Sequence, residues 1–251
     1  MSVVWFLWRN MKWRFHHAFT IIITLLQPML WLVLYSAVAG QSLKATGISN
    51  YTAFILPGLI ILVSFGSCSS SGMMNYLMKT DGSFYRVLIA PVQRSSMILG
   101  QLLEAVLCTF LEVGIMFGIS VFFSVKIAAG LVGAFLIIVI VFLCAFFMAG
   151  LAFAVSLILP NEVVYETAMN AIVLPVFFLS TALFPSESLT GAWKAAVGLN
   201  PFTHVINALR TLLLQGTIEV VPLLQVIFLL LIMCVLSFCL AYCRLKKETS
   251  L

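Results

Sequence analysis

Two carboxylates stand where charge is hard to accommodate. Glu104 and Glu112 interrupt an apolar run over residues 98–123. Eight residues apart on a helix, they are separated by about 12 Å along its axis. A charged carboxylate at the centre of a bilayer costs about 2.5–3.5 kcal/mol on insertion scales. Glu112, the deeper of the two, must therefore face protein or water, or carry a proton. Three uses fit: lining a substrate path, relaying protons, or a carboxylate satisfied between helices. No Lys or Arg is well placed within an apolar run to pair with Glu112, which favours a protonated or water-facing acid. Glu162 and Glu166 need no such role, because they fall at i, i+4 where a helix begins and its dipole favours negative charge.

No other constellation points to catalysis. Ser67, Ser69, Ser70 and Ser71 cluster in one apolar run, where small polar residues let helices pack closely, and no nucleophile–base pair accompanies them. His16, His17 and His204 lack metal-ligand spacing. Cys68, Cys108, Cys144, Cys234, Cys239 and Cys243 lie in or beside apolar runs with no C-x-x-C pair. They read as small buried apolar side chains, not as a disulfide frame or zinc site. The phosphate-loop pattern G-x-x-x-x-G-K-[ST], the G-x-S-x-G elbow and H-E-x-x-H do not occur. Catalytic residues: none, metal: none, and cofactors: none on this chain are the expectations.

The elements that position these residues must be membrane helices. Of 251 residues, 63% are hydrophobic and 8% charged, against roughly 25% charged in soluble domains. Lipid is the solvent, and in lipid only helices or closed barrels satisfy the backbone. The apolar runs are continuous and do not alternate, so the fold class is all-α, a polytopic membrane protein with six transmembrane helices. The expected spans are 18–39, 53–74, 98–123, 129–157, 164–183 and 221–243. With both termini cytoplasmic, Arg9, Lys12, Arg14, Lys79, Arg86, Arg94, Arg244, Lys246 and Lys247 lie inside, and Lys44, Lys126, Lys194 and Arg210 outside. That bias supports the orientation and accounts for the net charge of +5 without nucleic acid. Ala37-Val38-Ala39 resembles a signal-peptidase site, but the preceding run exceeds a signal h-region of about 7–15 residues, so an uncleaved anchor is expected.

Residues 1–17 read as an N-terminal amphipathic interfacial helix. Val4, Trp8, Met11 and Phe15 form one apolar stripe, Arg9 and His16 fall opposite, and Lys12 and Arg14 lie on the flanks. Two long connections carry the most information. In 75–97, Asp81-Gly82-Ser83 is a turn with Ser83 placed to cap a short helix, which Pro91 stops. The result is either a protein-docking knob with exposed aromatics and Arg86 or a loop lying on lipid. In 184–220, Asn200-Pro201 starts a helix and Gly216 stops it, with Val205, Leu209, Leu212 and Leu213 on one face. With a second short helix over Leu189 to Leu199 it makes an outer re-entrant helical hairpin or a surface amphipathic one. The whole of 1–251 reads as a single domain.

Three segments together resemble a known family. They are Tyr51-Thr52-Ala53-Phe54-Ile55-Leu56-Pro57-Gly58; then Gly82, Phe84-Tyr85-Arg86, Ala90-Pro91-Val92 and Arg94; then Phe177-Phe178-Leu179-Ser180, Phe184-Pro185, Trp193, Asn200-Pro201-Phe202-Thr203, Ala208-Leu209-Arg210 and Gly216. Nearly the whole chain resembles the permease subunits of type-2 ABC exporters, the group of daunorubicin, nodulation-factor and polysaccharide exporters. Thr181 stands where that group often has Gly, and a proline common before the Trp193 region is missing.

The resemblance implies a permease of the bacterial cell membrane, paired with an identical or sister permease and docked on two cytoplasmic ATPases that hold ATP and Mg. It makes Ser83, Phe84, Tyr85, Arg86, Val87 and Leu88, with Ile89, the cytoplasmic coupling helix, and Phe84, Tyr85 and Arg86 the ATPase contacts. Phe54, Glu112, Phe177, Phe178 and Phe184 become candidates for the substrate path. Trp193, Asn200, Pro201 and Arg210 become parts of an outer lid. The expected cargo is a hydrophobic or amphipathic drug, antibiotic or lipid-like molecule. The alternative is an ion- or proton-coupled secondary carrier using Glu104 and Glu112.

Overall fold

The computed structural model describes residues 2–16, 26, 29–30, 32–34, 51–89, 93–122, 128–183, 191–216 and 218–248. Every regular element among the described residues is helical. In chain order these are α1 (Ser2–His16), α2 (Tyr51–Thr80), α3 (Ser83–Ile89), α4 (Arg94–Phe122), α5 (Gly130–Ile158), α6 (Glu162–Phe178), α7 (Ala192–Leu199), α8 (Pro201–Arg210), a π turn (Thr211–Gln215) and α9 (Val220–Glu248). Most of the first expected span lies outside the described residues, as do His17, Ala37-Val38-Ala39, Ala90-Pro91-Val92 and Phe184. The described parts of that span are helical, with Leu32 in the core.

Among the described residues four helices are long and apolar enough to cross a membrane: α2, α4, α5 and α9. The fifth expected span, 164–183, is different. Its helix, α6, starts two residues earlier and stops at Phe178. At 17 residues it is about 26 Å long, less than a hydrocarbon core of ~30 Å. Local chemistry explains both ends. The Asn161 side chain accepts a hydrogen bond from the Val164 amide at 2.8 Å, capping the start. Past Pro175 the chain turns, with the Ser180 hydroxyl donating to the Phe177 carbonyl and accepting from the Ala182 amide.

α2 is the centre of the bundle. Of its most apolar stretch 83% is buried, against 22% of that of α9. It packs on α4, α5, α6 and α8, while α9 packs chiefly on α5. The packing is close enough to need missing side chains. A Cβ on Gly72 would overlap the Tyr165 hydroxyl and lie 2.9 Å from the Ala152 carbonyl oxygen. The Tyr165 hydroxyl passes that gap to donate to the Ser69 carbonyl at 2.8 Å, so one glycine joins α2, α5 and α6. Gly72→Val should lower the melting temperature of the detergent-solubilised protein, with a loss of about 1–3 kcal/mol. Unchanged melting would show that the three helices are not in contact there.

Thiols add interhelical bonds. Cys68 donates to the Ala145 carbonyl and Cys234 to the Leu143 carbonyl. Cys68, Cys108, Cys144 and Cys234 are buried as expected, but Cys239 and Cys243 are exposed on α9. That correction follows from the peripheral position of α9: its outward face has no neighbour among the described residues.

Candidate functional site

The two ends of the bundle carry different chemistry. At one end α3 joins the last turn of α2 to the start of α4. At the other, α7 and α8 form a hairpin on the first turns of α2. From Gly58 to Lys79 α2 runs roughly 30 Å, which separates the ends by about a membrane thickness.

The α3 end gathers the basic residues of α1 with Lys79, Arg86, Arg94 and the last turn of α9. α1 is bound here by a buried polar network. Arg14 forms an ion pair with Glu104 at 2.9 Å and donates to the Ser70 hydroxyl at 2.9 Å. The Ser71 hydroxyl donates to the other Glu104 oxygen at 2.6 Å, and the Cys108 thiol donates to the carboxylate too. Gln101 donates to Ser71 and accepts from Asn10 at 2.7 Å. Burial opposes charge on Arg14, but the Glu104 carboxylate together with Cys108 and Glu112 outweighs it, and the guanidinium is held above its ordinary pKa.

This network corrects the sequence reading of α1. Val4 and Trp8 point outward as expected, exposed by 71% and 70%. The opposite face is not solvated: Phe6, Asn10 and Arg14, at i, i+4, i+8, are buried against α2 and α4. Asn10, Arg14 and Gln101 were missed as site residues. Their signal was a polar face on α1 matched by polar residues on the two apolar runs it covers. Glu104, one of the two expected proton carriers, is thus a braced structural acid. Glu112 is also buried, 3% exposed.

α3 spans the expected residues and differs in its facing. Phe84 is fully buried, whereas Tyr85 and Arg86 are exposed and Ile89 is 85% exposed. Phe84 therefore anchors α3 to the bundle and is not a surface contact. Val87 and Leu88 are half-buried. The Ser83 hydroxyl, expected to cap α3, donates instead to the Met78 carbonyl at 3.1 Å and ties α3 to α2. Beside α3 is a cavity of about 410 Å³ lined by Tyr85, Ile89, Arg94, Met97 and Glu248.

The hairpin end is held by polar side chains from α8 and its cap. Asn200 accepts from the Phe202 amide and donates to the carbonyls of Val176 and Leu179, at 2.7 and 2.8 Å. Pro201 is the first residue of α8, and Gly216 ends the π turn with φ of 67°. Arg210 lies 3.8 Å over the Phe54 ring and donates to the carbonyls of Phe54 and Thr181. Thr181 adds a hydroxyl bond to Asn207 at 2.8 Å. Val205, Leu209, Leu212 and Leu213 are all buried. Trp193 is exposed.

Phe54 and Phe177 are buried, Phe178 is exposed, and Phe184 lies outside the described residues. α6 buries the stripe Tyr165, Met169, Val173 and Phe177 and exposes Thr167, Asn170, Leu174 and Phe178.

A family model described as ABC-2 type transporter matches residues 1–214. The chain belongs to the ABC-2 type transporter family. Relatives of this ABC-2 chain include the putative transport permease ycf38 of Cyanophora paradoxa, 25% identical over 198 residues, 77% of this chain and 67% of that protein. The daunorubicin resistance ABC transporter permease protein DrrB1 of Streptomyces coeruleorubidus is 27% identical over 221 residues, 84% of this chain and 74% of that protein. ABC transporter G family member 20 of Dictyostelium discoideum is 26% identical over 174 residues, 67% of this chain and 23% of that protein. The matched ABC-2 region contains the Arg14–Glu104 network, α3 and the α7–α8 hairpin. An ABC-2 domain is a membrane-spanning transport subunit and not a nucleotide-binding domain.

Proposed function

We propose that this chain is the permease subunit of an ATP-binding cassette exporter that moves a hydrophobic or amphipathic molecule out of the cell. A separate cytoplasmic ATPase holds ATP and Mg and supplies the work. In this reading the α3 end is cytoplasmic, both termini face the cytoplasm of a bacterial cell, six segments cross the membrane, the fifth made of α6 and the turn that continues it to Leu183, and the hairpin is an outer lid.

The observation that carries the reading is the build of α3. A seven-residue helix, anchored by a buried phenyl ring, displays Tyr85, Arg86 and Ile89 beside a cavity. Exposed aromatic, Arg and large apolar groups around a recess are what protein contacts use. α6 supports a second permease. Asn170 and Thr167 lie on its exposed face beside Leu174 and Phe178, and an amide facing hydrocarbon is unfavourable unless protein or water meets it. An identical or sister permease against this face would enclose such a path.

Affinity purification of the tagged chain from native membranes should recover an ABC ATPase. Tyr85→Ala with Ile89→Asp should cut that recovery at least tenfold while melting stays unchanged. Full recovery with the double variant would overturn the coupling role of α3. Transport that needs no ATPase and vanishes in Glu112→Gln would instead establish an ion-coupled carrier.

A further inference from the structure

A groove of about 600 Å³ runs between α8 with its π turn and the first half of α9. Its two sides differ in chemistry. His204, Asn207 and Thr211, at i, i+3, i+7, make a polar edge along α8 and the π turn, while Val226, Leu229 and Ile232 make an apolar wall on α9.

Glu219 stands exposed among the lining residues, just before the first turn of α9. Its carboxylate has no hydrogen bond or ion pair among the described residues. The helix dipole favours an acid at this position, but that does not account for the recess the acid faces. Among the described residues no Lys or Arg lines the groove. Small-molecule sites are commonly recesses of about 300–1,000 Å³, mostly apolar with a few placed polar groups.

We infer that this groove binds a single-chain amphiphile carrying one ammonium group. The apolar body lies along Val226, Leu229 and Ile232, and the ammonium meets the Glu219 carboxylate. A phospholipid with an ammonium headgroup fits less well: its phosphate would stand beside Glu219, with no Lys or Arg among the described lining residues to neutralise it. Binding here requires neither ATP nor export, so its failure would leave the permease reading intact.

The test is equilibrium binding of radiolabelled dodecyltrimethylammonium to the full chain in phosphatidylcholine nanodiscs, with empty nanodiscs as reference and dodecanol as the uncharged comparator. The cationic probe should bind saturably and at least tenfold more tightly than dodecanol. Glu219→Gln should abolish that preference. Ala208→Phe, which puts a ring into the groove, should abolish saturable binding of both probes. Added phosphatidylethanolamine should not compete; competition would make the occupant a phospholipid and overturn the assignment. It would also be overturned by binding no greater than to empty nanodiscs, or by an unchanged preference in Glu219→Gln. Should Ala208→Phe fail to fold, Glu219→Gln, a change at an exposed residue, decides alone.

Discussion

Arg14→Ala should destabilise the protein by about 3–5 kcal/mol, because it strands the buried Glu104 carboxylate without its counter-charge. The pair is deep, with side chains 10% and 4% exposed. Its loss also removes a donor from Ser70. Glu104→Ala should cost a similar amount by stranding the guanidinium. Changing both residues together, Arg14→Met with Glu104→Leu, should restore much of the loss, since replacing a buried ion pair by apolar groups is often neutral or better. Melting of the detergent-solubilised variants provides the comparison. Additive losses in the double variant would show that the two residues do not interact.

Phe84→Ala should be the most damaging change in α3. Truncating a fully buried phenyl costs about 3–5 kcal/mol, and Phe84 is 0% exposed. Tyr85→Ala, one residue along and 45% exposed, should stay within about 0.5 kcal/mol. The two variants therefore separate anchoring from docking: one lowers melting, the other leaves it and weakens partner recovery. Equal shifts in melting would mean that α3 has no inward face.

What the amino-acid order revealed was chiefly local chemistry. Asn200-Pro201 and Gly216 bound the α8 segment because a cap, a fixed φ and a left-handed residue act within a few bonds. The bounds of α3 are legible for the same reason. Its facing is not, since seven residues make two turns and either side can be the inner one until α2 and α4 are in place. The short reach of α6 was hidden because its apolar character runs on to Leu183 while its helix does not. Arg14, read as a flank residue of an interfacial helix, was hidden because its partners lie on other helices. On a membrane surface the apolar stripe can face lipid, and the polar residues then turn inward to find partners on other helices. Glu104 and Arg14 are 90 residues apart, so no periodicity within either helix links them.

Lys79 ends α2 and holds two other helix ends, donating to the Leu157 carbonyl near the end of α5 at 3.1 Å and to Glu248 at the end of α9 at 2.6 Å. With α1 pinned to α2 and α4 by the Arg14 network, the described helices around α3 are cross-braced. A load applied at α3 would then turn the bundle as one stiff lever. Under such a rotation displacement grows with distance from the loaded end, so a tilt too small to break the Lys79 bonds would sweep furthest roughly 30 Å away, at the hairpin.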